Sequence, residues 1–132
     1  MPLERLNPDT IYPPYHNNYT QVVISTGTRQ VHVAGMVSFD ENSQMVGEGD
    51  MRAQTECVIG NVAKALEAAG ASAADIARIQ IFTLDVDRYL KEGHAEVLKF
   101  YGDTRPASTL VGVTRLADPR FLVEIHVTAV LG

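Results

Sequence analysis

The stretch Phe121-Leu122-Val123-Glu124-Ile125-His126-Val127-Thr128-Ala129-Val130 alternates along its whole length. In an extended strand, successive side chains point to opposite faces. Phe121, Val123, Ile125, Val127 and Ala129 therefore form one apolar face. Leu122, Glu124, His126, Thr128 and Val130 form the other. The first face demands a covering layer. The second is half apolar, and a symmetric homo-oligomer is the default way to cover it.

Working back along the chain, Ala107 to Thr114 and Arg78 to Leu84 also read as strands. Between them, a helix is expected from Asp85 or Asp87 to Tyr101, with Leu90, His94, Leu98 and Tyr101 on its inner face. Gly93 falls inside it, at a cost of about 1 kcal/mol relative to alanine. A first helix is expected from Met51 to Ala69, capped by Asp50 and ended by Gly70. Val58, Val62, Ala65, Leu66 and Ala69 make its buried stripe.

Upstream, residues 39–49 read as a polar loop with a short strand near Met45-Val46. Arg29 to Ser38 and Thr20 to Ser25 read as strands, with Gly27-Thr28 turning between them. Residues 1–19 hold Pro2, Pro8, Pro13 and Pro14 and are expected to be irregular. The order is β-β-α-β-α-β-β in one domain, 1–132, of the α/β (α+β) class. Two helices cover only one face of such a sheet.

The composition narrows the function. With 11 Lys and Arg against 16 Asp and Glu, the net charge is −5. Nucleic acid is not an expected partner, because phosphate contacts need a basic face. The single cysteine, Cys57, excludes an intrachain disulfide and agrees with a reducing compartment. The first ten residues carry charges where a signal peptide needs an apolar core, and no apolar run is long enough for a bilayer. A cytoplasmic protein without membrane contact is expected. His16, His32 and His94 lack the spacing of a metal site, and there is no phosphate-binding loop or nucleophile elbow. No metal or cofactor is expected.

The run from Arg105 through Pro106, Ala107, Ser108, Thr109, Leu110, Val111 and Gly112 to Val113, then Arg115-Leu116 and Leu122-Val123-Glu124-Ile125, closely resembles the signature of the RidA/YjgF/YER057c family, the endoribonuclease L-PSP-like proteins. Pro14-Tyr15, Val33-Ala34-Gly35, Gln54, Asn61 and Glu67-Ala68-Ala69-Gly70 match in order, so the resemblance spans nearly the whole chain. It implies a chorismate-mutase-like fold, helices on one face of a mixed sheet, and a homotrimer whose sheets form a central barrel. It also implies ligand clefts between subunits and cofactor-free hydrolysis of reactive enamines or imines to a carbonyl compound and ammonia. In the family, an arginine grips the substrate carboxylate and a glutamate positions water.

Glu124 matches that glutamate. Imine hydrolysis needs water aimed at carbon and a proton delivered to nitrogen, and a carboxylate in a partly desolvated cleft serves both when burial raises its pKa. The alternative reading is an interfacial glutamate satisfied by backbone or by a neighbouring subunit. Ser108 stands where the family's arginine would be, and a hydroxyl cannot reproduce a bidentate guanidinium grip. Arg105 lies before the strand and does not replace it by position. Leu110 stands where the familiar branch has a cysteine, and Cys57 reads as a helix-face or core residue. Thr109 sits beside Ser108 in the same stretch. His126 shares a strand face with Glu124, roughly 7 Å away at the base, and is either its partner or an interface histidine. Tyr15 either lines a cleft or anchors the N-terminal segment. Ala34-Gly35 allows backbone to approach a ligand or simply packs tightly.

Three functions follow for comparison. The first is an enamine or imine hydrolase, including a specialised deaminase of a 2-aminomuconate-like ring-cleavage product. The second is a non-catalytic metabolite-binding or regulatory trimer. The third, a ribonuclease, is opposed by the acidic charge.

Overall fold

A computed structural model of the chain describes residues 3–132. Met1 and Pro2, at the start of the segment expected to be irregular, lie outside the described residues. The strands are β1 (Leu3–Leu6), β2 (Val22–Ser25), β3 (Arg29–Met36), β4 (Ile76–Thr83), β5 (Ala107–Gly112) and β6 (Val123–Leu131). The helices are α1 (Met51–Ala68), α2 (Val86–Glu92) and α3 (His94–Tyr101). The main sheet has the order β3-β6-β4-β5. β4 and β5 run parallel, and β6 is antiparallel to both β3 and β4. The sheet is therefore mixed, as expected for the class, and α2–α3 form the crossover that a parallel pair requires.

β6 is central, and its alternation is the alternation of the sequence. Val123, Ile125, Val127 and Ala129 are buried with Ile79 and Ile81 of β4 and with Met51, Val58, Val62 and Leu66 of α1. Each of these side chains larger than alanine contributes about 1.5–3 kcal/mol by leaving water. Asp50 caps α1 by accepting from the Ala53 amide at 3.0 Å.

Two expectations need correction. Leu3–Leu6 is not irregular: it forms a separate antiparallel ribbon with β2, pairing Leu3 with Ser25 and Leu6 with Val22. The prolines that argued against structure begin only at position 8 among the described residues, and the four residues before them are free to pair. The second helix is also two helices, broken at Gly93. A Cβ at Gly93 would sit 2.5 Å from Thr55 Oγ1 of α1 and 3.1 Å from the Tyr89 ring. Close packing of helix on helix thus selects glycine here, and the new helix starts at His94.

Gln54 of α1 ties the layers together. It is fully buried. Its Nε2 donates to the carbonyls of Gly47 at 3.1 Å and Arg120 at 2.9 Å, and its Oε1 accepts from the Leu122 amide at 2.8 Å. Thr83 Oγ1 donates to the Leu122 carbonyl at 2.8 Å. The entry to β6, just ahead of Glu124, is therefore held from both sides.

Candidate functional site

The sheet separates the candidate residues. Ile125, Ile81 and Leu110 are register partners across β6, β4 and β5, so they share the helix-covered face. Glu124, Phe82 and Val111 are partners in the same way on the open face. Ser108 goes with Leu110, and Thr109 and His126 go with Glu124. Within one chain, Ser108 and Glu124 thus lie on opposite sides of the sheet.

On the open face, the Glu124 carboxylate lies over Gly35. β3 is bulged between Val33 and Met36, so Ala34 and Gly35 leave the regular pairing with β6. A Cβ at Gly35 would sit 2.8 Å from Glu124 Cδ and would collide with the carboxylate itself. Gly35 makes room for Glu124, while Ala34 is exposed at the bulge. Among the described residues, no side chain hydrogen-bonds the Glu124 carboxylate. His126 is not its partner here: the ring Nε2 meets Gln80 Oε1, and Phe82 packs edge-on to it at 5.5 Å. Thr109 is engaged by Arg78, whose Nη2 donates to Oγ1 at 3.0 Å.

On the other side, at the β5 edge, a cavity of about 220 Å³ is lined by Tyr15, Asn18, Tyr19, Ile81, Leu90, His94, Ser108 and Leu110. Tyr15 sits at its mouth, 73 % exposed. It opens a 3-10 turn in which His16 and Asn17 take positive φ values of 51° and 56°. The turn is anchored from below by Tyr101, whose hydroxyl donates to the Asn18 carbonyl at 2.7 Å. Burial pushes the Tyr101 phenol up to about 12, so the donor keeps its proton.

His94 and Leu90 join the cavity without having been singled out as site residues. His94 Nδ1 lies 3.2 Å from the hydroxyl of Tyr89, which is fully buried. Burial, and then the neighbouring Tyr101, raise the Tyr89 pKa far above the ordinary phenol value. Burial lowers that of His94. The inner-face stripe read from the sequence already puts Leu90 and His94 on one side of the helix, but it gives no sign that β5 and the Tyr15 turn enclose a cavity beside them.

Arg105 does not reach the cavity. It has a left-handed backbone, with φ 41° and ψ 68°, and its guanidinium meets Asp103 at 3.6 Å. Among the described residues, no Lys or Arg lines the cavity. Cys57 contacts the Phe39 carbonyl from α1 and lies outside the cavity. Among the described residues, no three His, Cys, Asp or Glu side chains are placed to hold a metal ion, and no helix is long and apolar enough to cross a membrane.

The family model for endoribonuclease L-PSP matches residues 11–131. The chain belongs to this family, the RidA/YjgF proteins. A Rid-family protein of unknown function from Yersinia pestis, YyfB, has a structure with a TM-score of 0.92 at 34% identity, covering 99% of this chain and 100% of that one. A YjgF-family protein of Mycobacterium tuberculosis has a TM-score of 0.66 at 31% identity, covering 89% and 90%. A RutC family protein of Pyrococcus abyssi is 31% identical over 99 residues, 75% of this chain and 76% of its own length. The chorismate-mutase-like fold expected from the C-terminal motif is thereby established for a RidA-family chain.

Proposed function

We propose that this RidA-family chain hydrolyses a small, reactive enamine or imine to a carbonyl compound and ammonia, in a cleft shared between subunits of a homotrimer. The observation that carries the reading is the placement of Glu124. Its carboxylate lies over the Gly35 bulge, clear of any side-chain partner among the described residues, on a sheet face that no helix covers. A carboxylate there is available to water and to a neighbouring subunit. Because Ser108 and Glu124 lie on opposite faces, a neighbouring copy would bring its own Glu124 to the cavity at the β5 edge.

The chemistry balances simply. Glu124 takes a proton from water as the oxygen attacks the C=N carbon, and returns it to nitrogen. The carbinolamine then passes its hydroxyl proton to nitrogen, the C–N bond breaks, and C=O and NH₃ are left. An enamine first takes a proton on carbon and gives one up from nitrogen, which yields the imine. The protein supplies position and proton transfer, and the cytoplasm fits the acidic, single-cysteine chain.

A second reading, a metabolite-binding or regulatory trimer without turnover, is favoured by the serine at position 108. Ammonia release from freshly generated imines separates the two. The panel should include 2-imino acids, 2-aminomuconate-like compounds and uncharged imines. Glu124→Ala should lower turnover by about 10²-fold or more. Turnover that survives this substitution would remove Glu124 from the chemistry, and none on any compound with the wild type moves the assignment to the binding trimer.

A further inference from the structure

The cavity at the β5 edge has a chemical character of its own. Its walls include Ile81, Leu90 and Leu110, and its polar groups are Ser108, Asn18, His94 and two tyrosines. None carries a fixed positive charge. The nearest arginine in sequence, Arg105, is held by Asp103 instead. A substrate carboxylate entering this cavity would lose water, find no cation among the lining residues of this chain, and be repelled by the Glu124 that the proposed neighbour brings, which is costly for an ion.

The hydrogen bond between Tyr89 and His94 sets the direction of the imidazole. Tyr89 is fully buried, and its hydroxyl hydrogen needs an acceptor. Nδ1 of His94 is the side-chain atom within reach, at 3.2 Å. If Nδ1 carried the ring proton, the phenol hydrogen would be stranded, so Nδ1 accepts and the proton resides on Nε2. Among the described residues, Nε2 has no partner, and His94 lines the cavity. Burial also disfavours the imidazolium.

We propose that this cavity selects an uncharged, partly apolar ligand, and that His94, seated by Tyr89, offers it a ring N–H in place of a charged grip. The inference deepens the hydrolase reading by naming its substrate class, an imine without a carboxylate. The binding preference holds with or without turnover. His94 is here a binding residue and Tyr89 a positioning residue.

The test uses two isosteric pairs, isobutyramide against isobutyrate and benzamide against benzoate, titrated into the full chain while the Leu110 methyl and His94 ring resonances are followed. Each amide should bind at least about tenfold more tightly than its carboxylate. Ser108→Arg should reverse the order. His94→Phe should weaken amide binding by about three- to tenfold, the worth of one hydrogen bond. Should Ser108→Arg fail to fold, the wild-type ratio alone decides. Carboxylates that bind as well as amides would overturn the proposal, as would probes that leave both resonances unmoved. An unchanged amide affinity in His94→Phe would remove His94 from it. Amide preference without ammonia release sinks the hydrolase reading and leaves this one. Carboxylate preference with turnover does the reverse.

Discussion

The hydroxyl of Tyr89 lies 3.2 Å from Nδ1 of His94, and this contact fixes which nitrogen of a cavity-lining imidazole carries the proton. Tyr89→Phe removes the donor and little else. The His94 ring should then show mixed tautomers in its ¹⁵N shifts, with a stability loss of about 1 kcal/mol. Tyr101→Phe, whose hydroxyl serves the Asn18 carbonyl instead, should leave the His94 spectrum as it is. Unaltered ¹⁵N shifts in Tyr89→Phe would show that the tautomer is set elsewhere.

Gly93 gives a prediction whose sign runs against helix propensity. Taken as a mid-helix glycine, it should gain about 1 kcal/mol on replacement by alanine. The structure places Thr55 Oγ1 2.5 Å from the new methyl group. Gly93→Ala should therefore destabilise by about 1–3 kcal/mol, as overpacking does. A urea melt decides between the two.

Gln54 satisfies two carbonyls and one amide at the entry to β6. Gln54→Leu keeps the apolar stem and strands all three partners. A loss of about 3 kcal/mol or more is expected from the sum of such penalties. A loss within 1 kcal/mol, by the same melt, would mean that water replaces the amide.

Much of this fold was legible because it rests on period. The strand around Glu124 alternates without a fault, and α1 begins at the cap that Asp50 announces. The family motif supplied Glu124, and the bulge at Ala34-Gly35 explains why glycine precedes Met36. Period does not show which strands are neighbours. Ser108 and Glu124 belong to different faces because the register pairs Ser108 with Ile79 and Glu124 with Phe82, which point to opposite sides of β4. The sequence places His94 on the inner face of its helix but not in the site, because the cavity it lines is completed by Tyr15 and by Ser108 and Leu110 of β5, whose approach no period shows. The β1–β2 ribbon was missed because four residues are too few for a pattern.

His94 also gives the chain a pH signature. Burial holds its pKa below 6.5, the value expected in the unfolded chain. Between the folded and unfolded pKa values, the unfolded state binds more protons. Stability is therefore fully present above pH 6.5 and falls as the pH drops towards the folded value. His94→Gln should flatten that part of the stability profile. An equal slope in the variant would assign it to other groups.

The shared cleft is tested most directly by complementation. Glu124→Ala removes the carboxylate proposed to position water, and Ser108→Phe fills the cavity at the β5 edge. On the proposed trimeric hydrolase, each variant alone should release almost no ammonia from the imine that the wild type turns over best. If each site takes its cavity from one subunit and Glu124 from the next, mixed trimers regain one intact site. Random reassembly of equal amounts should then restore about a quarter of wild-type activity. Mixtures that stay as inactive as their parents would contradict a cleft built from two chains.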